Sequence, residues 1–172
     1  MSDPVMNIKR MTVLERLKLR SAIDQSLKDE GIVRSANIVG DYTETLCALA
    51  LKMTPVPLNK GHDLIDAEGR RVEVKGIRLT KWNGQRQTSA IRELDHAHFT
   101  HIAIVVFNPD YTVLRGCLMD HDAVKKRARW IERNHYHVIN ANDVIWADPG
   151  VRDITAELID AQNGTPLRET AA

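Results

Sequence analysis

Hydrophobic positions along this chain change their period several times, and each change marks an element. Residues 11–29, MTVLERLKLRSAIDQSLKD, carry Val13, Leu14, Leu17 and Leu27 at helical spacing, with Gly31 just beyond, which predicts an amphipathic helix. GDYTETLCALALKM (40–53) puts Leu46, Leu49, Ala50 and Met53 on one stripe, a second helix stopped by Pro55 and Pro57. Residues 62–79 alternate polar and apolar around Ala67-Glu68-Gly69, which predicts two antiparallel strands. A polar loop, LTKWNGQRQTSA, leads into a short helix expected through SAIRELDHA. HIAIVVF (101–107) is a nearly unbroken β-branched run, the pattern of a strand buried on both faces. NPDY turns it into another strand, TVLRGCLM. HDAVKKRARWIERN predicts a basic helix with Val124, Ala128 and Ile131 inward. A short strand is expected at DVIW, then a helix at VRDITAELIDA after Pro149.

Two helices, several strands and further helices give a mixed sheet flanked by helices, an α/β fold. The expected organisation is an N-terminal helical extension over 1–36, a single domain over 37–162, and a frayed tail over 163–172. The 172 residues are 43% hydrophobic and 27% charged, enough for one globular core. No apolar run is long enough to span a membrane, and the N-terminus lacks the pattern of a secretory signal. Cys47 and Cys117 form neither CxxC nor a disulfide ladder, so a cytoplasmic protein is the expectation. Net charge is +1, yet residues 70–92 hold seven basic side chains against one acid, Glu73. That tract is a candidate contact for a polyanion; an unevenly charged, solvated surface is the alternative.

The hairpin sharpens the picture. With Ala67-Glu68-Gly69 as its turn and Gly69 at positive φ, Leu64 pairs with Val72 and Asp63 falls opposite Glu73. Alternation then points Leu64, Val72 and Val74 toward a core, and Asp63, Glu73 and Lys75 together to the other side. Two facing carboxylates repel in a sheet unless a divalent cation sits between them. The Val74 carbonyl offers a further hard oxygen, and Lys75 stands where an ammonium can hold a water or stabilise charge on phosphorus.

Asp63, nine intervening residues and then Glu73-Val74-Lys75 resemble the signature of the PD-(D/E)xK nuclease superfamily, the restriction-endonuclease-like fold. The run from GDYTE through KGHDLID, VEVKG, RQTSAIRELD and HIAIVVFNPDYTV, about residues 37–160, is also similar to small, poorly characterised bacterial members. The superfamily's proline is displaced: His62 precedes the acid and Pro57 lies upstream. The resemblance implies a Mg²⁺-dependent DNA endonuclease, with Mn²⁺ able to substitute, leaving 5′-phosphate and 3′-hydroxyl ends. It implies Asp63, Glu73 and the Val74 carbonyl as metal ligands, Lys75 as the residue acting on water, and Glu44 as a helical assistant. Arg78, Lys81, Arg86 and Gln87 are the expected nucleic-acid contacts. A homodimer and a setting in restriction, phage defence or mobile-element maintenance complete the expectation. The alternatives are a non-catalytic nucleic-acid-binding or assembly subunit of the same fold, and a structure-specific or RNA-acting nuclease. Glu44 has a second reading, since Asp41 and Glu44 are spaced as a helix capping box.

Other constellations carry less. His96, His98 and His101 fit no zinc spacing on a helix or knuckle. RNHYHVINAND has the letters of an HNH nuclease without its ββα context. Trp82, in the basic loop, is a candidate for stacking on a base, whereas Trp130 and Trp146 are expected to pack internally.

Overall fold

The computed structural model of the chain describes residues 8–57 and 61–164. Its contacts divide after Ile38 into two units. Helix α1 (Val13–Asp29) belongs to the first. It opens on a capping box: Thr12 Oγ1 accepts the Glu15 N–H at 3.3 Å, and Glu15 Oε2 accepts the Thr12 N–H at 2.7 Å. The expected helix is there, but none of its residues is buried, and Val13 and Leu17 are 73% and 57% exposed.

The second unit is built on the β-branched run. Residues 101–107 form β4 (His101–Phe107) in a six-stranded mixed sheet with α2 (Ile38–Leu51), β1 (Thr54–Pro55), β2 (Leu64–Ile65), β3 (Arg71–Arg78), β5 (Val113–Asp120), α3 (His121–Arg127), β8 (Val151–Asp153) and α4 (Thr155–Gly164). The strand order is β1-β2-β3-β4-β5-β8, with β3 and β4 parallel and every other pair antiparallel. As expected, β4 is buried on both faces. Ile102, Ile104 and Val106 enter one core with Ile77, Leu94, Phe99 and Val124. Ala103, Val105 and Phe107 enter the other, with Leu46 and Cys47 of α2 and Leu158 of α4. Each large apolar side chain contributes about 1.5–3 kcal/mol on burial, which makes β4 the axis of this unit.

One close approach positions α2. A Cβ built on Gly76 of β3 would lie 2.1 Å from Thr43 Oγ1 and 3.1 Å from Val39 Cγ1. Only glycine lets the helix sit this close to β3. Burial of Val39 against that strand draws the helix start to Ile38, ahead of the expected residue 40. Asp41 therefore lies inside the first turn rather than at the cap, and the capping-box reading of Asp41 and Glu44 is corrected.

Three further elements differ from expectation. Residues 89–97 form only a 3₁₀ turn at Leu94–His96, because Glu93 and Ala97 on either side adopt left-handed backbone at φ 50° and 49°. The basic helix ends at Arg127, where Ala128 turns extended (φ −70°, ψ 130°). Residues beyond it form β6 (Arg129–Ile131), which pairs with β7 (Tyr136–Val138). DVIW is a 3₁₀ turn within Asp143–Ala147, and Val151–Asp153 extends along β5 before α4 begins. The tail read as frayed lies, from residue 165 on, outside the described residues. Among the described residues no helix is long and apolar enough to cross a membrane.

Candidate active site

The hairpin forms in the register its turn dictates. Gly69 takes φ +81°, its N–H bonds the Asp66 carbonyl at 3.1 Å, and Leu64 pairs with Val72. Asp63 lies one residue ahead of β2: its N–H donates to the Val72 carbonyl at 2.9 Å, and its Oδ2 accepts the Val74 N–H at 2.7 Å. The side chain thus takes the ladder position that a longer β2 would have filled. Val72 and Val74 are buried against α2, while Glu73 and Lys75 turn to the opposite face.

Backbone polarity along β3 fixes where the Val74 carbonyl points. Thr100 donates to the Arg71 carbonyl at 2.8 Å and Leu79 donates to the Phe107 carbonyl at 2.9 Å, so the odd-numbered residues face β4. Even-numbered residues face the β2 edge, and Val74 presents both its N–H and its carbonyl there, on the side of Asp63.

Lys75 Nζ donates to Glu73 Oε1 at 2.6 Å, both side chains being largely buried, at 12% and 20% exposed. Burial raises the Asp63 carboxyl to about 7, reinforced by the Glu73 and Glu44 charges and opposed by the Val74 N–H and Lys75. Glu44, on α2, reaches the same field, and both it and Asp63 help burial push the Cys47 thiol up. Cys117, buried in the opposite core, is pushed up to about 12, chiefly by desolvation. Both thiols are inert small hydrophobes here. His62, directly before Asp63, has a buried Nδ1 without a hydrogen-bond partner among the described residues.

The donor set suits a hard divalent cation. Asp63 Oδ1 and Glu73 Oε2 lie outside the bonds just described, and the Val74 carbonyl adds a third oxygen on the same edge. Two nearby carboxylates, one raised in pKa by the other's charge, are the electrostatic condition that a cation relieves. Glu73 and Lys75 open into a pocket of about 400 Å³ that also meets Ser89, Arg92, Glu93 and His98. The hydrophobic pattern carried no signal for those four, because they come from a loop whose path is set by left-handed residues.

The expected nucleic-acid contacts are dispersed. Arg78 is engaged within the fold. Its guanidinium donates to the Pro109 carbonyl through Nε and Nη2 and to Tyr111 Oη at 3.1 Å, and stacks 4.0 Å over the Tyr111 ring. It ties the end of β3 to the 109–111 turn. Arg86 pairs with Asp143 at 2.8 Å, and Gln87 accepts from Arg129 at 3.2 Å while bridging to Asn140. These two residues line a polar cleft of about 500 Å³ with Gln85, Asn140 and Asn142. Lys81 leans over Trp82, its Nζ 5.5 Å from the ring centroid, and Trp82 is 89% exposed. Trp146 packs inward with its indole N–H on the Gly116 carbonyl at 3.1 Å, whereas Trp130 remains 44% exposed. No family model matches this chain, and neither does any curated protein.

Proposed function

We propose that this protein is a Mg²⁺-dependent phosphodiesterase of restriction-endonuclease-like fold that cleaves DNA. The observation carrying the reading is the convergence of Asp63, Glu73, Lys75 and the Val74 carbonyl at one edge of β3, with Glu44 of α2 in the same electrostatic field. Asp63 and Glu73 would hold the cation, with the Val74 carbonyl completing the protein's share. A bound Mg²⁺ supplies charge stabilisation at the phosphoryl oxygens and a water of lowered pKa. Lys75, held by Glu73, would act on the attacking water and the developing phosphorane charge. Glu44 would act through the negative field it adds at Asp63, which strengthens that carboxylate's hold on a positive charge.

Support for a nucleic-acid substrate comes from the loop after β3. An exposed Trp82 beside Lys81 offers a stacking surface next to positive charge. Gln85, Arg86, Gln87, Asn140 and Asn142 give the adjoining cleft side chains able to meet phosphates and base edges. Arg78, committed to Pro109 and Tyr111, supports the strand rather than the substrate. A homodimer would present two such sites to the two strands of a duplex.

Supercoiled plasmid incubated with the full chain and Mg²⁺ tests the reading. Nicked and linear products are expected, and a chelator or Glu73→Ala should abolish them. Intact plasmid beside retained DNA binding would contradict it in favour of a non-catalytic binding subunit.

A further inference from the structure

Glu93 and His98, which line the same pocket, form a second cluster with His96. Their potential ligand atoms, a carboxylate oxygen and one ring nitrogen from each histidine, all lie within 4.8 Å of one another. His98 Nε2 is 2.8 Å from Glu93 Oε2, and the two imidazole rings have centroids 5.8 Å apart. This set differs in kind from the oxygens around Asp63. Two imidazoles and one carboxylate are the donors of borderline metals, and His₂Glu with one open position is an established ligand set for Zn²⁺.

The backbone accounts for the convergence. Glu93 and Ala97 both sit at positive φ (50° and 49°) although neither is glycine or asparagine, a conformation that persists only where the surroundings enforce it. The resulting tight turn at Leu94–His96 folds residues 93, 96 and 98 back on one another, anchored by buried Leu94 and Phe99. Gly61 fixes the other side: a Cβ there would come within 2.8 Å of His98 Cβ, so its bare Cα lets His98 take its place. An ion pair explains Glu93 with His98, but it gives no account of why His96 is brought in beside them. Tetrahedral Zn²⁺ at about 2.0–2.1 Å from each donor requires donor separations of roughly 3.3 Å, so rotamer adjustment of these partly exposed side chains suffices to close the shell. His101 stands apart on β4, next to Thr100.

We propose that Glu93, His96 and His98 form a Zn²⁺ site on the rim of the pocket that holds Glu73 and Lys75, with water as fourth ligand. The site is separate from the hard-cation site and stands whether or not the chain cleaves DNA.

The test is calorimetric titration of the full chain with Zn²⁺ in the Asp63→Ala/Glu73→Ala background, which removes the neighbouring carboxylates. One equivalent should bind, and adding His96→Ala/His98→Ala should weaken it by at least about tenfold. Glu93→Gln, which keeps both imidazoles and the turn, should weaken it less; Co²⁺ should give tetrahedral visible bands only while both histidines remain. Circular dichroism melts establish that each variant is folded. No Zn²⁺ bound in the parental background, or unchanged affinity in the folded double-histidine variant, would overturn the site.

Discussion

Asp63 has to stay folded into the hairpin while carrying a carboxyl that its surroundings do not favour as an anion. Burial first, then Glu73 and Glu44, raise it from its ordinary 3.8 to about 7. The metal-free folded chain therefore binds this proton more tightly than the unfolded chain between about pH 4 and pH 7. Stability from this group is intact at the acid end of that window. It falls as pH rises through the window and levels off above it, a change on the order of 4 kcal/mol. His101, lowered from 6.5 chiefly by burial, works in the opposite sense within that window, so the informative quantity is the difference from Asp63→Asn. Urea unfolding in chelator across that range should show the variant without the decline, and saturating Mn²⁺ should flatten it in the parent. An Asn variant with the parental slope would contradict the burial and charge assigned to Asp63. The order of Asp63, Glu73 and Lys75 was legible in the sequence because turn chemistry at Gly69 sets the register, and the register sets the faces. Glu93, His96 and His98 were not legible, since two non-glycine residues in left-handed conformation bring them together, against local propensity.

Elements were readable where burial alone decides them and failed where a partner elsewhere decides. HIAIVVF became a doubly buried strand because six consecutive residues leave no polar face. The helix expected over 121–134 stopped at Arg127 because residues 129–131 pair with β7, an energy that no helical period contains. The α2–β3 contact belongs to this scale. Gly76→Ala forces a methyl group into Thr43 and Val39, and should destabilise the chain by about 1–3 kcal/mol in urea unfolding, with an unchanged m-value. Thr43→Ala combined with Gly76→Ala should recover part of that loss, since the nearest atom, Thr43 Oγ1, is gone. Strictly additive losses would mean that the helix does not rest on Gly76.

Across the whole molecule, net charge of +1 gives no general attraction for DNA, so the binding proposed for this chain would have to come from local surfaces such as the loop at Lys81 and Trp82 and the cleft at Gln85–Gln87. Chemistry is assigned to a different place, the β3 edge at Glu73 and Lys75. Binding and hydrolysis should therefore come apart in one variant. If the Lys75 ammonium acts on the water and the developing charge, its contribution arises in the transition state. The direct measurement is single-turnover DNA cleavage by Lys75→Ala at saturating enzyme, paired with equilibrium DNA binding in Ca²⁺. The expected result is a rate lower by on the order of 10² to 10³, about 3–4 kcal/mol, with affinity nearly unchanged. Cleavage at the parental rate, or a loss wholly in affinity, would contradict it and leave Lys75 as an ion-pair partner of Glu73.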